Sequence, residues 1–168
     1  MGFAKSIRRQ KTSQRMNINI RRTLPIEADI LSEIAFSAKA HWGYSEHLMG
    51  MWKPQLTFPA DYFIETEGWA AELDDNPVAF YTLEGKDGSA WIENLWVVPE
   101  HMGKGIGKQL FLDALSRSRS KGYQILRLEA DPHAAGFYEK MGMYQVGESS
   151  RPIDEDPSRV LPIMEIKL

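Results

Sequence analysis

Residues 91–110 read WIENLWVVPEHMGKGIGKQL and are the most informative part of this chain. Its first eight residues are mostly aromatic or β-branched, as is typical of a buried strand, and Pro99 ends that strand. Three glycines follow at every second position: Gly103, Gly105 and Gly107. From Ile106 onward the apolar residues have the spacing of a helix. The stretch therefore predicts a strand, a glycine-rich turn and a helix.

Glycines at the junction of a strand and a helix indicate a site for an anion. Glycine lets a ligand approach the backbone closely and leaves N–H groups exposed. The first N–H groups of a helix have no partner within it and lie at the positive end of its dipole, so they attract phosphate. Lys104 and Lys108 add positive charge. A turn without a ligand is the alternative, and the spacing of the glycines favours phosphate.

Two common phosphate-binding motifs do not fit this turn. A P-loop requires a glycine well before its Gly-Lys pair and a hydroxyl residue after it, and the chain has Met102 and Gln109 at those positions. The dinucleotide-binding fingerprint requires a third glycine where Lys108 stands. The turn therefore belongs to another class of phosphate site.

The strand, turn and helix resemble the signature of the GNAT superfamily of N-acetyltransferases. In that family a strand that ends in Val-x-Pro is followed by Gln/Arg-x-x-Gly-x-Gly/Ala at the start of a helix. Val97, Pro99, Gly105 and Gly107 match this pattern, and Met102 replaces the usual Gln or Arg. The replacement removes one side-chain contact and leaves the backbone site intact.

A second segment, residues 131–144, resembles another part of the same family. It reads DPHAAGFYEKMGMY and is similar to Asn-x-x-Ala-x-x-Phe-Tyr-x-x-x-Gly-Phe, with Asp131 for the Asn and Met143 for the last Phe. The two motifs are independent and occur in the order found in the family. The resemblance covers residues 17–168 and is strongest over residues 91–147.

The resemblance implies a single mixed α/β (α+β) domain of the GNAT type. Its central sheet is mostly antiparallel, with one splayed parallel pair of strands and helices on both faces. The sequence predicts the order strand, two helices, three strands, helix, strand, helix, two strands. The helix between the fourth and fifth strands implies that these two strands are parallel. Turns are predicted at Gly85–Gly88, and a long loop at residues 148–161.

By the same resemblance acetyl-CoA is the co-substrate, and residues 103–108 hold its pyrophosphate. The residues expected to bind the coenzyme are Leu95, Trp96, Val97, Met102, Gly103, Lys104, Gly105, Ile106, Gly107, Lys108, Asp131, Ala134, Phe137 and Tyr138. The backbone N–H of Val97 would bind the thioester carbonyl. Asp131 replaces an asparagine that often contacts the coenzyme arm, and a carboxylate has no donor to offer there.

Acetyl transfer to an amine requires a base for the amine proton, and Glu93 is the predicted base. It lies on the strand where family members often place a carboxylate that faces the acceptor. Glu72 and Glu129 are alternatives that would act through water. Strict alternation places Glu93 on the face opposite Ile92 and Asn94, unless a bulge, common on this strand in the family, intervenes.

Tyr138 is the predicted acid for the leaving thiolate. It matches the family tyrosine that donates to the coenzyme sulfur, and a phenol is protonated at neutral pH. Phe137 shares a helical face with Ala134 and Met141, so we expect Phe137 to pack inward and the Tyr138 hydroxyl to be available. An ordinary half-buried tyrosine is the alternative.

The acceptor is expected to be a primary amine, in a small molecule or at the N-terminus of a peptide. In the family two early helices and their loop cover the acceptor, and Ser45 is the predicted N-cap of the second helix. The corresponding aromatic candidates are Trp42, Tyr44 and Trp52, for which a packing role is the equal alternative. The identity of the amine stays open, as does a homodimer.

The composition excludes several classes of site. The 168-residue chain contains no cysteine, so it has no disulfide and no thiol nucleophile, and its four histidines lack the spacing of metal ligands. We therefore expect no metal, and direct attack by the amine in a ternary complex. No apolar run has membrane-spanning length and no secretory signal is present, so the prediction is a cytoplasmic protein without a membrane partner.

Charge is distributed unevenly along the chain. Residues 1–22 carry seven lysines and arginines and no acid, although the whole chain has a net charge of −3. Residues 1–16 are predicted to form a basic, disordered arm ahead of the domain at 17–168. The arm lacks interleaved aromatic residues and the domain is acidic, which argues against nucleic acid as a partner. A non-catalytic sensor of acyl-CoA remains the main alternative to an enzyme.

Overall fold

The computed structural model describes residues 16–168, so the predicted basic arm lies outside the described residues except for Met16. The elements in chain order are β1 (Asn19–Arg22), α1 (Ala28–Ala40), α2 (Glu46–Trp52), α3 (Tyr62–Glu65), β2 (Glu67–Leu73), β3 (Asn76–Lys86), β4 (Ser89–Val97), α4 (Ile106–Ser120), β5 (Ile125–Glu129), α5 (Ala135–Lys140), β6 (Tyr144–Ser150) and β7 (Val160–Lys167). Within residues 16–168, no helix has the length and apolar character needed to cross a membrane.

The seven strands form one sheet in the order β1-β2-β3-β4-β5-β7-β6. Every neighbouring pair is antiparallel except β4 and β5, which are parallel. These two strands pair only at Ala90 with Leu126 and at Trp91 with Arg127, although β4 continues to Val97. They therefore diverge beyond Trp91 and leave a wedge between them, which confirms the predicted fold class.

Each face of the sheet is covered by helices over its own core. On one face, α4 buries Leu110 and Phe111 against Tyr81 and Leu126 of the sheet. On the other face, α1 buries Leu31 together with four further apolar side chains from α1, α3 and the central strands: Ile34, Ala35, Phe63 and Phe80. Burial on both faces holds β4 and β5 rigidly at the start of the wedge, where the site is built.

A β-bulge in β4 changes which side chains share a face. Thr82 pairs with Asn94 and the next residue of β3 pairs with Ile92, so Glu93 is the extra residue. As a result Ile92 packs in the core under α4, and Trp96 packs against the core under α1. Strict alternation had placed Ile92 and Trp96 on one face, and that prediction is wrong because the bulge inserts one residue between them.

Two predicted connections are shorter than expected. β3 continues through Gly85 and Lys86, and the turn is confined to Asp87 and Gly88, both of which have positive φ. The predicted loop at residues 148–161 loses both of its ends, because β6 extends to Ser150 and β7 begins at Val160. The polar residues there pair as an exposed edge hairpin, for which hydrophobic alternation is a weak signal.

The predicted N-cap at Ser45 is confirmed, since its Oγ accepts from the Leu48 N–H at 3.2 Å.

Candidate active site

The glycine-rich turn forms an open backbone cradle at the start of α4. Gly103 and Gly105 have φ of +74° and +85°, values that favour glycine, and no heavy atom lies within 4 Å of the position a Cβ would take at either residue. The N–H of Gln109 is the first of α4 to donate back to the turn, at 3.1 Å from the Gly105 carbonyl oxygen. The backbone N–H groups between Gly105 and Gln109 therefore remain available to an anion.

A cavity of about 460 Å³ runs from this cradle into the wedge between β4 and β5. It gathers twelve of the fourteen residues predicted to bind the coenzyme: Leu95, Trp96, Val97, Met102, Gly103, Gly105, Gly107, Lys108, Asp131, Ala134, Phe137 and Tyr138. The remaining two do not line it. Lys104 is exposed, and the Ile106 side chain is fully buried in the core, so Ile106 offers only its backbone to a ligand.

β4 presents a free backbone N–H to this cavity. The N–H of Val98 donates to the Val78 carbonyl on β3 at 2.9 Å. Because successive N–H groups of a strand point to opposite sides, the N–H of Val97 points toward β5. β5 pairs with β4 only at Ala90 and Trp91, so within the described chain no strand accepts this hydrogen bond. The Val97 N–H is thus placed to bind a carbonyl oxygen in the wedge.

A second cavity, of about 590 Å³, lies on the other side of β4. From the ligand expected on each side, we call the first the coenzyme-side cavity and the second the acceptor-side cavity. Its walls come from α1, the end of α2, β3 to β5, and the segment that joins β6 to β7; they include Lys39, Trp52, Lys86, Trp91, Asn94, Arg151 and Arg159. Five residues line both cavities: Ile92, Glu93, Trp96, Glu129 and Asp131. Two ligands, one in each cavity, would therefore meet at this shared wall.

Glu93 lies in the shared wall because the bulge turns its side chain out of the sheet. The residue is exposed by surface area, yet its carboxyl lies in a concave wall. This partial burial is the main cause that raises the pKa of Glu93; the charge of Glu84 adds to it and that of Lys86 opposes it. A carboxylate with a raised pKa is a better proton acceptor.

The two alternative carboxylates are placed differently. Glu129 also lies in the shared wall, where its Oε1 accepts from Arg151 at 3.0 Å. Glu72 lines neither cavity, and its carboxylate is paired with Arg21 on β1. The structure therefore separates Glu72 from the site and keeps Glu129 beside Glu93.

Tyr138 is the more buried member of the aromatic pair on α5, with 7% of its surface exposed. The expectation that Phe137 would be the inward residue is wrong, because Tyr138 packs toward Phe111 of α4 whereas Phe137 lies partly buried over Gly107 in the glycine turn. Both rings line the coenzyme-side cavity. Burial, and then the charge of Asp131, raise the pKa of Tyr138, so its hydroxyl stays protonated.

Asp131 is the centre of a buried polar cluster that sequence reasoning missed. Its Oδ2 accepts from the Lys39 Nζ at 2.5 Å and from the Tyr44 hydroxyl at 2.8 Å, and its Oδ1 accepts from the His133 backbone at 2.9 Å. Burial by itself would raise the pKa of Asp131, but these partners outweigh it and lower the pKa to about 2. Asp131 is therefore a carboxylate that ties α1 to the turn before α5.

The aromatic residues of the early helices divide between the two cavities. Trp52 lines the acceptor-side cavity, whereas Trp42 lines the coenzyme-side cavity and stacks on His133 with 5.4 Å between the ring centres. Tyr44 lines neither and packs edge-on against Trp52 at 4.8 Å. No sequence signal distinguishes these three roles, because they depend on how the α1–α2 loop folds over β5.

The wall at Trp96 is fixed by a polar network under α1. The Trp96 Nε1 donates to the Asn94 side-chain oxygen at 3.0 Å, and the Asn94 amide donates to Thr82 and to the Tyr62 hydroxyl at the same distance. These hydrogen bonds satisfy the buried polar atoms and hold the indole in one orientation.

Within residues 16–168, no cluster of three or more histidine or acidic side chains suits a metal ion.

Comparisons with known proteins agree with this geometry. The model of the acetyltransferase (GNAT) family matches residues 33–143. The peptidyl-lysine N-acetyltransferase YjaB of Salmonella typhimurium is 33% identical over 136 residues, covering 80% of this chain and 88% of that protein. A putative ribosomal protein bS18-alanine N-acetyltransferase of Bacillus subtilis is 33% identical over 45% of this chain and 61% of that protein.

Among solved structures, the PaiA N-acetyltransferase of Thermoplasma acidophilum in complex with coenzyme A superposes with a TM-score of 0.73. The match covers 91% of this chain and 100% of that one at 23% identity, so it establishes a shared fold.

Proposed function

Because this chain belongs to the GNAT acetyltransferase family, and is therefore an acetyl-CoA-dependent acetyltransferase, we propose that it acetylates a primary amine by direct attack in a ternary complex. The observation that carries the proposal is the wall shared by the two cavities, in which the bulge places Glu93. A thioester in one cavity and an amine in the other would meet beside this carboxylate. Two relatives are named a peptidyl-lysine N-acetyltransferase and a putative ribosomal protein bS18-alanine N-acetyltransferase, and both names support an amine acceptor.

The proposed reaction uses three groups of this chain. Glu93, directly or through a water, takes the proton of the ammonium so that the amine nitrogen attacks the thioester carbon. The N–H of Val97 stabilises the oxyanion that forms. The carbon–sulfur bond then breaks, and Tyr138 donates its proton to the thiolate. The second proton that the nitrogen loses as the amide forms returns through water to Tyr138, and Glu93 releases the first proton to solvent. Without a cysteine, the chain offers no thiol for an acyl-enzyme intermediate.

The binding residues fit acetyl-CoA as a substrate. The open cradle at residues 103–108 offers backbone donors to its pyrophosphate. The apolar wedge, with Leu95, Val97 and Phe137 in its walls, suits the pantetheine arm. Asp131 is already occupied by Lys39 and Tyr44, so we propose that it shapes the cavity and does not hydrogen-bond the arm.

The test is release of free thiol from acetyl-CoA in the presence of amines, with Glu93→Gln and the matched variant Glu84→Gln. We expect Glu93→Gln to lower kcat by about 10²- to 10³-fold with unchanged acetyl-CoA affinity, because only the base is lost. Glu84 lines neither cavity, so its variant keeps the rate at neutral pH. Tight binding of acetyl-CoA without turnover of any amine is the behaviour of a non-catalytic sensor and would refute the proposal.

A further inference from the structure

The acceptor-side cavity carries a positive charge that the chain itself leaves unmatched. Its walls contain four cationic side chains and three carboxylates: Lys39, Lys86, Arg151 and Arg159 against Glu93, Glu129 and Asp131. Lys39 pairs with Asp131 at 2.5 Å and Arg151 pairs with Glu129 at 3.0 Å. If Glu93 is assigned to the reacting amine, Lys86 and Arg159 remain.

Arg159 is the better placed of these two cations. Lys86 is exposed at the outer end of β3, beside Trp91. The Arg159 guanidinium is half-buried and lies 5.3 Å from the centre of the Trp52 ring, inside the cavity wall. One of its nitrogens donates to the Arg151 carbonyl at 3.3 Å. Among residues 16–168, no carboxylate oxygen lies within 4.0 Å of the Arg159 guanidinium.

Two cations lie over one aromatic ring at this point, and only Lys39 pairs with a carboxylate. The Lys39 Nζ lies 4.6 Å from the Trp52 ring, on which Arg159 also packs. Burial lowers the pKa of Lys39, and the like charge of Arg159 lowers it further, against the opposing effect of Asp131. One carboxylate therefore compensates two positive charges in a partly desolvated site. An anionic group from a ligand would supply the missing charge.

We propose that the acceptor is a primary amine that carries its own anionic group, a carboxylate or a phosphate ester, and that Arg159 binds this group while the amine lies at Glu93. The planar guanidinium offers paired donors that match both kinds of anion. Trp52, Trp91 and Trp96 supply apolar walls for the body of the molecule. The inference rests on the proposed function, since it assigns the substrate class of the same site.

The proposal reverses what the overall charge indicates. The described domain is acidic, and long-range steering by an acidic surface favours cationic amines over anionic ones. Within the cavity the nearest charges decide, because interactions between close, partly buried groups are screened less than those with distant surface charges. The local arrangement around Arg159 therefore selects a different substrate class from the one that net charge predicts.

The experiment measures kcat and KM for two matched pairs of acceptors, with saturating acetyl-CoA. The pairs are phenylalanine with 2-phenylethylamine, and glucosamine 6-phosphate with glucosamine, so that each differs by one anion. At least one member with the anionic group should exceed the partner that lacks this group by about 10- to 100-fold in kcat/KM. Arg159→Gln should remove that advantage, mainly through KM, and leave the partner without the anionic group unchanged. Arg119→Gln, an exposed residue on α4, is the control.

The outcomes separate this proposal from the one on which it rests. A preference for phenylalanine over 2-phenylethylamine assigns a carboxylate. A preference for glucosamine 6-phosphate over glucosamine assigns a phosphate. If 2-phenylethylamine, glucosamine or a lysine peptide without acidic residues is turned over better than both anionic compounds, the anionic acceptor is overturned and the acetyltransferase proposal stays intact. An advantage that survives Arg159→Gln, or no turnover of any panel member while acetyl-CoA binds, also overturns it. Failure of acetyl-CoA itself to bind would refute the proposed function.

Discussion

The two cavities on either side of β4 are built in different ways. The coenzyme-side cavity is formed mainly by two short stretches, residues 95–108 and 128–141, and its central feature is backbone. The acceptor-side cavity draws side chains from α1, α2, β3, β4, β5 and the β6–β7 segment. The first has a sequence signature because its geometry is local; the second has none because its charges come together only when distant segments pack.

This difference has a functional consequence. A cradle made of backbone N–H groups and glycines recognises a phosphate group of acetyl-CoA, and this recognition does not depend on which side chains surround the cradle. A cavity made of side chains such as Trp52 and Arg159 can change its substrate with single substitutions. The coenzyme side therefore carries the shared chemistry, and the acceptor side carries what is particular to this chain.

The largest expected effect is on the coenzyme side. Gly105→Glu combines a φ of +85°, which strains any side chain, with a negative charge in the proposed site for pyrophosphate. We expect calorimetry to show a loss of acetyl-CoA affinity of about 100-fold or more, since charge repulsion adds to the lost donors. Gly88→Glu has a similar φ of +74° in a remote turn and should keep the affinity. Equal losses in both variants would show that strain alone was responsible.

The second expected effect also lies on the coenzyme side of β4. Tyr138→Phe removes one oxygen from a side chain that lines only the coenzyme-side cavity. Loss of the general acid should lower kcat by about 10- to 100-fold, with little change in acetyl-CoA affinity. Tyr144→Phe, an exposed tyrosine on β6, is the control in the same thiol-release assay. Full activity of Tyr138→Phe would show that Tyr138 only packs in the cavity wall and is not the general acid.

The third expected effect concerns the contact between the regions, because Asp131 lines both cavities. Its pKa is lowered from an ordinary 3.8 to about 2, so its stabilisation is complete above pH 4 and is lost as the pH falls toward 2. Urea unfolding of wild type should show a decline of about 1–2 kcal/mol over this range that Asp131→Asn lacks. The exposed Asp154→Asn should retain the decline. A parallel pH dependence in Asp131→Asn and wild type would contradict the assigned pairing with Lys39.

The smallest expected effect sharpens the role of Glu93. Glu84 raises the pKa of Glu93, so Glu84→Gln should lower it. A base must be deprotonated to act, and the acid limb of the kcat/KM profile should therefore move to lower pH, with the plateau unchanged. The exposed Glu65→Gln, on α3, should leave the profile in place. If the acid limb does not move in Glu84→Gln, the group that titrates in this limb is not Glu93.

Much of the fold was readable from the sequence. The strand, glycine turn and helix at residues 89–120 follow from local preferences: β-branched and aromatic residues, three glycines, and apolar residues at helical spacing. The crossover helix then required β4 and β5 to be parallel. Prediction was less successful at the ends of β3, β6 and β7, where exposed polar residues extend the β3–β4 and β6–β7 hairpins without an alternating pattern.

The local backbone follows from the sequence alone: the turn at Gly103 and Gly105, the helix after it, and the family to which both belong. Three features appear only in the folded chain: the bulge that turns Glu93 into the shared wall, the pairing of Lys39 with Asp131 92 positions away, and the packing of Arg159 over Trp52. The reason is physical. Backbone conformation depends on neighbouring residues, whereas the pairing of side chains from distant segments depends on how the whole sheet and its helices pack.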